Sequence, residues 1–390
     1  MKSTVSNALR VALAGMVCMA VAMGIGRFVF TPILPGMMEG LGLSASDAGL
    51  IASANYLGYL VGALLAVGAW AQGRERGIML AAIFASAALA ALMGLVSGMP
   101  AFLAIRFLAG LASAFALIFS TTIVFARLAA LKQDGFAALH FGGVGFGIAV
   151  SSVTVGILFL QEAGWRDGWF WSGILSLAGA LAIIWLLRPA PAGGGVVGRE
   201  PPLPKGRALT RIVVAYGLFG FGYIITATFL VAIVRQGEGG RLFEAAVWLA
   251  TGLAGIPSVW FWNRLSRPIG AARTFALVCA VEAAGVLASV TLGGYAGPLV
   301  GGVLLGGTFI AATALGLTAG RRLAGAAPRR ALALMTAAFG TGQVVGPVVA
   351  GYLADWTGDF FAASACAAVI LLAAAAIALG AGEKRLAEAV

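Results

Sequence analysis

Charge is scarce in this chain. Only 10% of its 390 residues are Asp, Glu, Lys or Arg, against roughly 25% in an ordinary soluble protein. It has one histidine, His140, and three cysteines, Cys18, Cys279 and Cys366, that stand singly in apolar segments with no CxxC pair. These shortages argue against a Cys/His metal centre. They also leave no nucleophile-and-base pair for an intramembrane protease, so an enzyme is not expected. The stretch GIGRF, residues 24–28, lacks the Gly-Lys-Ser/Thr ending of a phosphate loop. Without a nucleotide-binding domain, ATP is not the direct driving force, and no cofactor is expected. The net charge of +11 raises nucleic acid as a partner. The basic residues sit in short segments between apolar runs, however, which marks membrane topology instead.

What the chain has is hydrophobicity, 61% of all residues. About 20 apolar residues cross a bilayer as a helix. Runs of that kind fall near 9–35, 47–71, 77–97, 100–127, 135–161, 167–188, 210–234, 243–263, 271–292, 297–322, 330–354 and 358–380. The expected fold class is an all-α integral membrane protein with twelve transmembrane helices. Lys2 and Arg10 precede an apolar core as in a signal peptide, but the run continues too far and no small-residue cleavage site follows. Twelve spans put both termini on one side. With that side cytoplasmic, the outer loops hold Arg166, Arg235 and Arg241, and Arg27 and Arg106 lie inside spans. The other 20 of 25 basic residues then face the cytoplasm, the expected orientation under the positive-inside rule.

Residues 188–209 contain five prolines and five glycines and read as a flexible cytoplasmic linker. The expected organisation is a six-helix bundle over 1–188, a linker over 189–209 and a second six-helix bundle over 210–390. The halves repeat. Gly24 and Gly26 fall on Gly220 and Gly222 at an offset of 196. Asp47, Gly58, Gly73 and Arg76 fall on Glu244, Gly255, Gly270 and Arg273 at 197. Pro100 falls on Pro298, and Phe141–Gly142 on Phe339–Gly340, at 198. Internal repeats of this kind mark transporter folds.

The paired halves and central linker resemble the major facilitator superfamily. RFLAGLASA from Arg106 resembles its fourth-helix pattern, GQVVGPVVAG (342–351) its eleventh-helix pattern and GWRDGWFWSG (164–173) the start of its sixth helix. The loop GAWAQGRERG (68–77) keeps glycine and basic residues but has Trp70 where the family usually places Asp. The fifth helix GGVGFGIAVSS lacks the Gly-Pro of many antiporters. More narrowly, GIGRFVFTPILPGM, ANYLGYLVGA and FGFGYIITATFL resemble the YbfB/YjiJ-type bacterial members. The resemblance implies a multi-pass transporter of the bacterial inner membrane, working by alternating access as symporter or antiporter. It also implies that Gly73, Arg74, Arg76, Gly270 and Arg273 belong to gating loops, and that Arg106 serves cavity charge or proton coupling.

The intramembrane polar residues are the site candidates. Arg27 either snorkels to the headgroups or supplies a fixed positive charge to a central cavity. Arg106 has Gly110, Ser113 and Leu117 as helical neighbours, and either satisfies backbone carbonyls or faces the cavity. Glu282 lies well inside a span, as a packing group or a proton carrier. Asn55 and Tyr59 share a face at i, i+4, with Tyr56 beside them; Tyr216 and Tyr223 share a face at i, i+7. The repeat sets Tyr223 opposite Arg27. Gln343 is a further ligand candidate, and His140 is either a pH-sensitive group or an interfacial structural one. Two arginines against one carboxylate favour a small organic anion as cargo, with protons as a second candidate partner and a monomer in the bilayer. Efflux of drugs or of neutral or cationic metabolites is the alternative, and a membrane sensor without transport is the reading from another class.

Overall fold

A computed structural model describes residues 2–66, 69–187, 200–237 and 239–381. The described residues are all-α, with no strand, and give twelve helical spans long and apolar enough to cross a membrane. In the first half the helices are α1 (Lys2–Met19), α2 (Phe30–Leu41), α3 (Ala45–Ala66), α4 (Glu75–Met93), α5 (Met99–Ala130), α6 (Ala137–Leu160) and α7 (Trp165–Leu186). In the second half they are α8 (Arg207–Arg235), α9 (Gly240–Ile269), α10 (Ala271–Thr291), α11 (Ala296–Ala324), α12 (Pro328–Thr357) and α13 (Phe361–Leu379). The expected linker falls partly at 188–199, outside the described residues, as do Glu238 and 382–390.

The first span is longer than the run at 9–35, and it is broken. After α1 comes a wide π-helical turn, Ala20–Ile25, and four residues outside regular helix precede α2. The local sequence accounts for this. Pro32 has no N–H to offer the Phe28 carbonyl, and Thr31 N donates to Phe28 O (3.2 Å) rather than to Arg27 O. The carbonyls of Gly26 and Arg27 are left for other donors. Irregular backbone at membrane depth survives only where protein supplies such donors.

The repeat is visible in packing. A Cβ on Gly110 would collide with the Asn55 carbonyl, and one on Gly306 with the Thr251 carbonyl. Both pairs are displaced by 196 residues. Each lets the second and fourth spans of its half approach at backbone distance, as small residues do in membranes. The loop glycines Gly73 and Gly270 also match, with φ of +74° and +85°.

The halves meet along two seams, α6 against α9 and α3 against α12. Glycine opens both: Gly145 faces Gly252, and Gly49 and Gly351 face the backbone of Pro347 and Ala45. The segment before α8 makes apolar contact, contrary to a linker free of it. Leu203 packs on the core, and the Glu200 carboxylate accepts from Arg329 N and Arg330 N at the start of α12. Acidic groups are stabilising at a helix N-terminus.

Candidate functional site

The centre of the molecule is built around the break in the first span. Arg27 projects from it and is only 2% exposed. Its guanidinium carbon lies 4.6 Å from the ring centroids of both Tyr56 and Tyr59 on α3, and 5.5 Å from that of Phe28. Its Nε and Nη2 are buried without a hydrogen-bond partner. The position is therefore central and walled by aromatic faces, where the quadrupole of each ring attracts the cation. A side chain enclosed in this way packs inside the protein.

Arg106 is buried behind it, at 1% exposure. Its Nη1 donates to Gly26 O (3.3 Å) and its Nη2 to Arg27 O (3.2 Å), the two carbonyls the break sets free. Its guanidinium also lies 5.0 Å from the Phe30 ring centroid and 5.7 Å from that of Trp169. Asn55 Nδ2 donates to the Arg106 carbonyl (3.0 Å), tying α3 to α5 at the same level.

The second half presents rings. Tyr223 on α8 lies nearly parallel to Phe219, Phe309 and Phe339, with centroids 4.9, 5.9 and 5.7 Å away. Tyr216 extends the stack, 4.8 Å from Phe339. Gln343 Nε2 donates to Tyr223 OH. Across the interface, Phe28 meets Phe309 edge-on at 5.5 Å, and Tyr56 OH shares a hydrogen bond with Thr228 Oγ1 (3.2 Å). Arg27, Tyr56, Tyr59, Tyr223 and Gln343 thus converge on one place.

Other candidates lie elsewhere. Glu282 on α10 is fully buried inside the second half beside Thr308, whose hydroxyl donates to Leu304 O (2.6 Å). His140 is fully buried near the start of α6. Its Nε2 shares a hydrogen bond with Thr121 Oγ1 (3.0 Å), and its ring meets Phe125 and Phe141 edge-on. At the loop between α3 and α4, Arg76 donates to Leu187 O (3.3 and 3.2 Å) and Arg74 to Trp70 O (2.5 Å). Trp70 itself packs against Phe115 and Phe119. Arg273 is exposed at the start of α10.

Three features escaped the sequence reading. The break itself was signalled by Gly24, Gly26 and Pro32 lying close together. The ring stack was signalled by Tyr216, Phe219 and Tyr223 at i, i+3 and i+7, of which only the tyrosines were noted. The third is a set of ties at the membrane face opposite the chain ends. Arg235 pairs with Glu39 and Glu244, and Arg241 lies 3.7 Å from Glu39. Asp355 accepts from Ala45 N and Ser46 N, each at 2.9 Å, capping α3 from α12. Counting basic residues alone hid these acidic partners. Beside them opens a cleft of about 270 Å³ bordered by Glu39, Trp165, Arg235 and Arg241.

Two six-helix halves with a broken first helix, facing across a central buried charge, define a major facilitator transporter, an integral multi-pass protein of the bacterial inner membrane. The chain belongs to the family described as "Uncharacterised MFS-type transporter YbfB", matched over residues 19–379. It is similar to a chloramphenicol resistance protein of Streptomyces lividans, 28% identical over 260 residues. That alignment spans 65% of each chain, so it covers about two thirds of the relative's length. Its fold is that of the nucleoside transporter NupG, with a TM-score of 0.72 at 14% identity, covering 96% of this chain and 98% of that one. A mutant structure of NupG gives the same TM-score at 13% identity and covers 96% and 100%.

Proposed function

We propose that the chain is a secondary carrier for a small organic anion, bound at Arg27 between its two halves. The observation that carries this reading is the buried guanidinium with two N–H groups unpaired. A charge inside a membrane protein is expensive unless something pairs with it. A carboxylate supplies the charge and two acceptor oxygens in the planar geometry a guanidinium prefers. Arg106 is then a positioning residue, holding the backbone from which Arg27 projects. Glu282 and His140, each enclosed within one half, are read as packing groups, and uptake with and without a pH gradient measures any proton coupling.

The experiment is a thermal-shift screen of purified protein against organic acids, amino acids and cationic drugs. A ligand of the folded state raises apparent stability by mass action. Stabilisation by organic acids, lost in Arg27→Ala, is the expected result. Stabilisation by cations alone overturns the reading. A second reading, efflux of a drug, is favoured by the similarity to the Streptomyces chloramphenicol resistance protein and by the ring-lined centre. Chloramphenicol would then stabilise wild type and Arg27→Ala equally.

The proposed orientation has both termini in the cytoplasm, supported by the basic-residue asymmetry. In a cysteine-free background, Asp359→Cys should react with an impermeant thiol reagent on intact cells and Arg329→Cys should not. The reverse pattern inverts the topology. The proposed domain division at the linker follows the two halves described above.

The ties among Glu39, Arg235 and Arg241, with the Asp355 cap, are read as a latch that closes the outer face. Glu39, Arg241 and Asp355 are exposed and Arg235 is half-buried, so each tie contributes only about 0.5–1 kcal/mol. Glu39→Gln combined with Asp355→Asn should shift the population several-fold toward an outward-open state. That shift is read as faster thiol labelling of a cysteine placed at Gly36. Unchanged labelling removes the latch from the mechanism.

A further inference from the structure

Resting on the organic-anion reading, we infer that the cargo is an aromatic monocarboxylate that also carries a neutral hydrogen-bond donor. Three observations at the centre converge on that class.

The first is the count of available charge. Arg27 offers two buried nitrogens without partners, Nε and Nη2, whereas both terminal nitrogens of Arg106 are occupied by the Gly26 and Arg27 carbonyls and only its Nε is left. One carboxylate is matched. A second would find only the Nε of Arg106 and no two-pronged partner, and a buried charge so poorly paired is penalised.

The second is the wall. Tyr56, Tyr59 and Phe28 surround the guanidinium from one half. From the other half Phe309 meets Phe28 edge-on, and Tyr223 lies nearly parallel to Phe309, Phe219 and Phe339. Flat faces of this kind gain more from an aromatic ring than from an aliphatic chain of equal size. In the present state the halves close on each other through the Phe28–Phe309 contact and the Tyr56–Thr228 bond. The cargo's ring replaces that contact when they part.

The third is a pair of oriented acceptors. Gln343 Oε1 and Asn55 Oδ1 are buried without partners. Asn55 cannot flip, because its Nδ2 is held by the Arg106 carbonyl, which can only accept, and Gln343 is set with Nε2 on Tyr223 OH. An acceptor fixed and unpaired in this way selects a ligand N–H or O–H, since a ligand lacking one leaves it unsatisfied.

The test is calorimetric titration of the purified full-length protein with 4-hydroxybenzoate, benzoate, cyclohexanecarboxylate, terephthalate and benzamide. The expected order is 4-hydroxybenzoate, then benzoate about tenfold weaker for want of the donor. Cyclohexanecarboxylate should be roughly a further fivefold to tenfold weaker, and terephthalate and benzamide weakest. In Gln343→Ala the ratio between 4-hydroxybenzoate and benzoate should collapse toward one. Because that ratio is taken within one variant, a change in folded fraction does not mimic it. Cyclohexanecarboxylate equal to benzoate, with both lost in Arg27→Ala, overturns the aromatic inference and leaves the anion reading standing. Terephthalate equal to 4-hydroxybenzoate overturns the single charge. A ratio unchanged in Gln343→Ala overturns the donor. Binding of benzamide alone, or of none of the five, overturns both this inference and the anion reading.

Discussion

Arg27→Ala should abolish measurable binding of the anion while leaving the protein at least as stable as wild type. Both effects come from one fact: the guanidinium is buried with Nε and Nη2 unpaired. Losing a desolvated charge partner costs the complex about 2–5 kcal/mol. The empty protein, by contrast, sheds a buried charge that nothing neutralises, and its first span becomes easier to insert. Arg27→Lys keeps the charge without the planar fork, so it should bind more weakly than wild type and better than alanine. Affinity and apparent Tm of the three proteins at equal expression are the measurements. Full activity in Arg27→Ala, or a marked drop in its Tm, would return Arg27 to a structural role.

Arg106→Ala should do the opposite, lowering Tm first and binding as a consequence. It leaves the Gly26 and Arg27 carbonyls without donors, at about 1–3 kcal/mol for each buried group left unpaired. It also removes a cation from the faces of Phe30 and Trp169, at about 0.5–2 kcal/mol. Arg106→Lys reaches at most part of this arrangement and should recover part of the Tm. The measurement is thermal unfolding without ligand. An Arg106→Ala protein with unchanged Tm but lost binding would place this side chain on the cargo.

The number of spans, the repeat and the asymmetry of basic residues were legible because they depend on composition and period, which the bilayer enforces along the whole chain. Close helix approach demands small residues at fixed depth, which was legible at Gly110 beside Arg106 but not at the seam glycines Gly49, Gly145, Gly252 and Gly351. The difference between Arg27 and Arg106 was not. Both are arginines in apolar helices, and what separates them is which backbone carbonyls the break around Gly26 releases. That depends on a π-helical turn whose cause, Gly24 and Gly26 followed by Pro32, is spread over nine residues. The central ring stack was partly legible on α8, where periodicity brings Tyr216, Phe219 and Tyr223 together. Phe309 and Phe339 join it from helices distant in sequence, and no local pattern announces them. The ties at the face opposite the chain ends were hidden for the same reason, since Glu39 and Arg235 are 196 residues apart.

The unpaired guanidinium also has an electrical consequence. With Arg106 charged in both states, a carrier whose Arg27 charge is cancelled by its cargo crosses with one positive charge fewer when loaded than when empty. Carrying one elementary charge through the full field involves about 2.3 kcal/mol per 100 mV, scaled by the fraction of the field Arg27 traverses. Membrane voltage would then act more strongly on the return of the vacant carrier than on the loaded crossing. Polarisation that is negative inside would hold the vacant site toward the cytoplasm, so the same protein would cycle at different speeds in energised and de-energised cells without any change in affinity.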